Sequence, residues 1–269
     1  VEGRIPDSLD GTFYRVGPDQ AFPPMMGDAN PFNGDGFMTA FRIQGGHCDM
    51  QTRYVMTHRL KAERAARRGL FGHYRNPFTD DPIVKGVQRT VSNTNVVPHA
   101  GQILAMKEDG PPYSIDPVTL ETRQLWDWNG QMTATSFTAH PKIDPATGEF
   151  FGYAYAAKGE ATDDIAIYSF DKHGKKTWEV WFKSPYPGMI HECAISEGYI
   201  ILPLIPHVMD IERLKKGGIA FQWDGSLDQI YIVCPRGGEA KDVRFFRAPN
   251  AFPGHVINAF DEGGKLYLD

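Results

Sequence analysis

Cysteine is scarce in this chain: Cys48, Cys193 and Cys234 are the only three among 269 residues, and no CxxC spacing occurs. Neither a disulfide framework nor a thiolate metal site follows from these, and a reducing, cytoplasmic compartment is the plainer expectation. Excess positive charge is lacking as well. A net charge of -5 and a pI near 6.0 leave no basic face for phosphate, so nucleic acid is not an expected partner. No apolar run approaches the ~18 residues of a membrane span; the longest, Tyr199 to Pro206, is far shorter, and no membrane insertion is expected. There is no HExxH, HxxxH or HxH pair, so a metal site cannot come from a single helix. An initiator Met and a signal peptide are missing too. The chain opens on Val-Glu-Gly-Arg and stops at Lys265-Leu-Tyr-Leu-Asp269, a strand in progress, so both ends are expected to be cut from a longer protein.

What is present is turn and strand chemistry. Twenty-eight Gly, 20 Pro and 12% aromatics suggest many short strands joined by tight turns. Strands are expected at Gly36 to Ile43, Asp49 to Met56, Ile103 to Met106, Phe150 to Ala156 and Ile165 to Phe170. Others follow at Thr177 to Phe182, Ala194 to Pro203, Gln229 to Cys234, Val243 to Arg247 and Leu266 to Leu268. The pair around Asp171-Lys-His-Gly-Lys-Lys predicts a hairpin. Repeated meanders without intervening helices favour a β-propeller over a sandwich, although no WD or kelch repeat is visible. One helix, His58 to Gly69, is rich in Arg and Lys and reads as a solvated face rather than a membrane-surface helix. The loops Ala21 to Phe32 and Phe71 to Pro82 are too long for simple turns, and long loops on a rigid scaffold tend to carry function.

Nine histidines must be sorted. His47 and His173 sit in polar turns, His58 starts the basic helix and His73 lies in an aromatic loop. Three share another setting: Ala139-His140-Pro141, Ile190-His191-Glu192 and Gly254-His255-Val256, each beside Gly, Pro or apolar residues. They stand 51 and 64 residues apart, somewhat more than the ~40–50 residues of a propeller blade. One imidazole per blade would converge on the axis and suit Fe, Zn or Cu. By pattern alone His99 and His207 compete with them.

Several motifs carry a resemblance. Gly11-Thr-Phe-Tyr-Arg-Val-Gly-Pro18, Asn33-Gly-Asp-Gly-Phe-Met38, Asn93-Thr-Asn95, Leu104-Ala-Met-Lys-Glu108, Pro112-Tyr-Ser-Ile-Asp-Pro117, Phe137-Thr-Ala-His-Pro141 and Asp144-Pro-Ala-Thr-Gly-Glu149 occur in this order. Together they resemble the carotenoid cleavage oxygenase family over nearly the whole chain. The resemblance implies an all-β, seven-bladed β-propeller of which residues 1–269 form an incomplete, N-terminal portion of one domain, with loops 21–32 and 71–82 and helix 58–69 as insertions. It implies Fe(II) on the axis, O2 as co-substrate, and four histidine ligands backed by glutamates. His140, His191 and His255 match the first three ligands, the fourth lying beyond Asp269. Glu108 matches the first of the glutamates and would accept the N–H of a ligand imidazole, with His191 the expected partner; the other two would lie beyond the chain. Thr94 matches a residue near the open side of the iron. His99 and His207 match no ligand.

Within that family the chain resembles the lignostilbene dioxygenases. Their phenol-recognising pair matches Tyr74 and Lys107, and an aromatic that packs on the stilbene matches Phe32. A buried Lys and Tyr would favour an ionised 4-hydroxyl, whose electron density activates the bridging C=C. A polyene has no phenol, and a buried Lys facing it would be a cost. The implied reaction is a 4-hydroxystilbene plus O2 giving two aromatic aldehydes, in a protein that is a possible homodimer. The competing expectations are an apocarotenoid or carotenoid oxygenase with the same iron site, and a non-enzymatic propeller scaffold. A hydrolytic zinc site lacks a carboxylate placed as general base. In a regular strand, Lys107 and Glu108 would point to opposite faces, so a turn or bulge is expected at Asp109-Gly110.

Overall fold

The computed structural model describes residues 2–27 and 30–269; of the loop 21–32, Asp28 and Ala29 lie outside the described residues. Its strands form successive antiparallel sheets, each built from consecutive stretches of chain. The first holds β1 (Gly11–Asp19), β2 (Asp35–Gln44) and β3 (His47–Tyr54). After helix α1 (His58–Ala66) comes a second, with β4 (Asn95–His99), β5 (Gln102–Met106), β6 (Tyr113–Ile115) and β7 (Thr122–Leu125). The third holds β8 (Lys142–Ile143), β9 (Phe150–Tyr155), β10 (Asp164–Phe170) and β11 (Lys176–Lys183). The fourth gathers β12 (Gly188–Met189), β13 (Ala194–Ile195) and β14 (Tyr199–Val208), then, past helix α2 (Ile211–Lys215), β15 (Gln222–Trp223), β16 (Gln229–Pro235) and β17 (Arg244–Ala248). A hairpin of β18 (Ala259–Glu262) and β19 (Lys265–Leu268) ends the chain.

The sheets pack in chain order, because neighbouring sheets bury apolar side chains against each other. Val16 and Met38 share a core with Ala105 and Tyr113, joining the first sheet to the second. Leu104 and Met106 meet Phe150, Ala154 and Tyr168, joining the second to the third. Tyr153 and Tyr155 meet Leu202, Leu204 and Ile232 of the fourth. The second interface is dominated by rings: Trp128 stacks on Phe170 with centroids 4.4 Å apart and meets Phe137 at 4.9 Å. Gly152 is required there, since a Cβ would come within 2.1 Å of the Phe137 ring.

The sequence-based expectations hold in type and slip at boundaries. The hairpin at Asp171 forms, with the Asp171 carboxylate accepting from the His173 and Lys175 amides, both at 2.9 Å. Ala194 to Pro203 is not one strand. It folds back at Glu197-Gly198, so that Ala194 faces Ile201, and β14 then runs on to Val208; apolar residues on both limbs hide the turn, and Gly198 is its one signal. The helix stops at Ala66 rather than Gly69, because Arg67 adopts the left-handed conformation at φ 57° and its amide bonds back to Arg64 and Glu63. Nor is that helix solvated all round. Leu60, Arg59 and Glu63 are buried, and Arg59 lies over the Phe71 ring. Short strands such as β6, β8 and β12 were not legible, being too brief to show a period.

His99, on β4, is buried with its ring 4.2 Å from that of Phe150 and 6.0 Å from Trp128. Burial pushes its pKa from 6.5 down to about 4, with Asp171 opposing weakly. The unfolded chain therefore binds a proton that the native chain refuses. This contribution to stability is complete above the ordinary value and falls away as the pH drops through that window, by about 2 kcal/mol at pH 5. His99→Leu is expected to flatten that part of a stability-against-pH curve. An acid limb unchanged by the substitution would show that His99 does not cause it.

Candidate metal centre

Four positions lie near the start of successive sheets, each ahead of an early strand. In the second sheet it is Asn93-Thr94 before β4, and in the third His140 before β8. In the fourth, His191 stands just before β13, and His255 precedes β18 of the last hairpin. Because the sheets pack in order, the three histidines converge. The rings of His140 and His191 are 4.7 Å apart, His140 and His255 5.1 Å, and His191 and His255 4.8 Å, all steeply inclined to one another. One nitrogen from each lies within 4.8 Å of the others.

Outer partners fix which nitrogens face inward. His191 Nδ1 bonds Glu108 Oε2 at 2.9 Å, and His255 Nδ1 bonds Glu192 Oε2, which leaves Nε2 of each ring for the common point. Among the described residues, Nε2 of His140 is buried without a hydrogen-bond partner. A buried nitrogen lone pair beside two oriented imidazoles is what a divalent transition metal requires. Burial, reinforced by His191, pushes the pKa of His140 down to about 4 and keeps it neutral. The residues present therefore fit a metal ion.

Glu108 is the centre of a buried polar cluster. Tyr155 and Tyr74 both donate their hydroxyls to its Oε1, at 2.7 and 3.1 Å. Burial would raise its pKa, but the His191 hydrogen bond and charge, Arg75 and Tyr155 outweigh that and bring it to about 2. Burial likewise pulls His191 down, and Glu108 more than reverses the effect. Glu192 was not anticipated. It accepts from Lys142 at 2.5 Å as well as from His255, and its only sequence signal was its place beside His191.

Strand β5 ends at Met106 and a turn begins directly after it, so Lys107 and Glu108 are both buried despite being neighbours. Lys107 is 2% exposed; its Nζ lies 4.6 Å from the Tyr74 ring centroid and donates to the Phe32 carbonyl, with Asn93 Oδ1 at 3.5 Å. Burial lowers its pKa, while Asp109 and Glu108 resist. Phe32 joins this group through its carbonyl, while the residue is 68% exposed. Thr94 is exposed, with its amide bonded to Met106 O and its hydroxyl to Asn93 Oδ1. His99 and His207 lie outside the trio, His207 being packed against Phe221.

Comparison with known proteins agrees with this architecture. The family model described as retinal pigment epithelial membrane protein matches residues 1–269. Resveratrol cleavage oxygenase 1 of Chaetomium globosum is 51% identical over the whole chain, and carotenoid cleavage oxygenase 1 of Neurospora crassa 48%. The chain covers 46% and 51% of those two proteins, so it spans about half the length of the curated relatives it matches. The crystal structure of Pseudomonas brassicacearum lignostilbene dioxygenase superposes with a TM-score of 0.96 at 47% identity, covering 99% of this chain and 56% of that one. The sheets are thus blades of a β-propeller, and the chain belongs to the RPE65 or carotenoid cleavage oxygenase family.

Proposed function

We propose that this chain supplies three ligands, His140, His191 and His255, of a non-haem Fe(II) centre in a dioxygenase that cleaves the central C=C of 4-hydroxystilbenes to two aromatic aldehydes. The observation that carries the substrate is the buried Lys107, whose Nζ lies over the Tyr74 ring and donates to the Phe32 carbonyl. A buried ammonium is costly unless something anionic or strongly polar comes to it, and a phenol that can lose its proton is such a partner. Bound iron would supply activation of O2. The chain's own groups do the rest. Lys107, beside the Tyr74 ring, holds the phenol oxygen and favours its oxyanion, which feeds electron density to the alkene. Glu108 and Glu192 accept the Nδ1–H of His191 and His255 and hold those rings in place, and Thr94 limits access at the open side.

The named carotenoid oxygenase at 48% identity favours a second reading, cleavage of an apocarotenoid by the same centre. The whole protein loaded with Fe(II) and offered resveratrol and an apocarotenal separates the two. Cleavage of the stilbene to aldehydes is expected to dominate. Preferential cleavage of the apocarotenal would overturn the stilbene reading, and a protein that binds no iron and cleaves neither would be a scaffold.

A further inference from the structure

We propose that Arg75 is a positioning residue of the metal centre: held behind the Tyr155 ring, its guanidinium fixes the Tyr155 hydroxyl on Glu108 and so aims His191. The proposal rests on the metal-centre reading above. Arg75 is 1% exposed. Its Cζ lies 4.6 Å from the Tyr155 ring centroid and 5.7 Å from that of Phe221, its Nε donates to Glu160 Oε2 at 2.9 Å, and its Nη1 is buried with no partner among the described residues. One ion pair does not account for a fully buried guanidinium wedged between two rings, because a surface position would serve Glu160 as well.

The backbone supplies the reason for the placement. Arg75 is left-handed, with φ 54°, an uncommon conformation for a residue with a Cβ. In an extended segment Tyr74 and Arg75 would point to opposite sides. Here both reach the same carboxylate, Tyr74 through its own hydroxyl and Arg75 through Tyr155. Glu108 Oε1 is thereby occupied by two phenols, and Oε2 is left for the ring nitrogen of His191. A cation against the face of a phenol strengthens its hydroxyl as a donor and attracts the anion behind it. Without it, the Tyr155 hydroxyl loses the cation behind its ring, and the buried carboxylate loses a compensating charge.

The test is Co(II) binding to the metal-free whole protein, followed by visible absorption and by titration. Arg75→Met is expected to weaken Co(II) binding about tenfold, the low end for loss of an outer partner, and to shift the absorption band. Arg75→Lys should restore part of the affinity, since it returns the charge without the planar fork. In a Tyr155→Phe background, Arg75→Met should add no further loss, because the two act through one hydroxyl. Glu160→Gln should lower thermal stability while leaving the band in place. If Arg75→Met does not fold, Tyr155→Phe alone decides, since it removes only the hydroxyl, and unchanged Co(II) binding there overturns the proposal. Equal affinities and spectra for wild type and Arg75→Met overturn it as well. A wild-type protein that takes up no Co(II) overturns the metal-centre reading instead.

Discussion

His191→Ala in the whole protein is expected to eliminate iron binding and with it turnover. His191 is the ring whose orientation is most firmly built: Glu108 Oε2 holds its Nδ1 at 2.9 Å, and Glu108 is itself anchored by Tyr155 and Tyr74. Removing the imidazole takes away a ligand nitrogen and leaves a buried carboxylate facing an empty space. Glu108→Gln is the milder companion. A glutamine can still sit among the two tyrosines, but it accepts more weakly from His191, and losses of this kind typically cost ~10–100-fold in metal affinity or activity. His99→Leu is the control, because His99 is buried among aromatic rings and outside the trio; it should leave metal content unchanged. Metal analysis by mass spectrometry reads all three. Full iron occupancy in His191→Ala would remove His191 from the ligand set.

The second large effect is expected at Lys107. Lys107→Met should lower kcat/KM for 4-hydroxystilbenes about ten- to hundredfold, since one charge-assisted hydrogen bond to a buried phenolate is worth ~1.5–3 kcal/mol. Iron content should not follow, because Lys107 touches Phe32, Asn93 and the Tyr74 ring rather than any of the three histidines. Methionine is close in length and flexible, so packing is largely retained. The comparison that decides is between the free phenol and its 4-methyl ether. The wild type should prefer the phenol strongly, and Lys107→Met should erase most of that preference. A wild type that cleaves the methyl ether equally well would mean that the phenol is not activated. Tyr74 adds a complication: its hydroxyl is donated to Glu108, so Tyr74→Phe would disturb the His191 partner along with any phenol contact. Lys107 is therefore the cleaner probe.

Much of this was legible in the chain itself. The all-β class followed from short aromatic and β-branched runs between Gly, Pro and Asp turns, because strand formation and turn formation are local and leave a period in the sequence. The long strands, β2, β10, β11 and β16, were placed to within a residue or two for that reason. The candidate ligand set was legible only through motif resemblance. Spacing could not separate His140, His191 and His255 from His99 and His207, since every one of these sits at or near a strand.

What only the tertiary structure decided is which side chains meet. Glu192 reaches His255 across 63 residues, and Tyr155 and Arg75 reach Glu108 across 47 residues and through a ring face. None of these pairings has a local period, because each is set by how one sheet packs on the next. The chain's own order of hydrophobic and turn residues therefore determined the blades and the position of a histidine at the entry to three of them. The packing of blade on blade determined that the three imidazoles share one centre, that Nδ1 of His191 and of His255 is already engaged, and that the strand stops at Met106 so that Lys107 and Glu108 can both be buried. A hydrogen bond acts over about 3 Å, and only a folded chain brings residues so far apart in sequence to that distance.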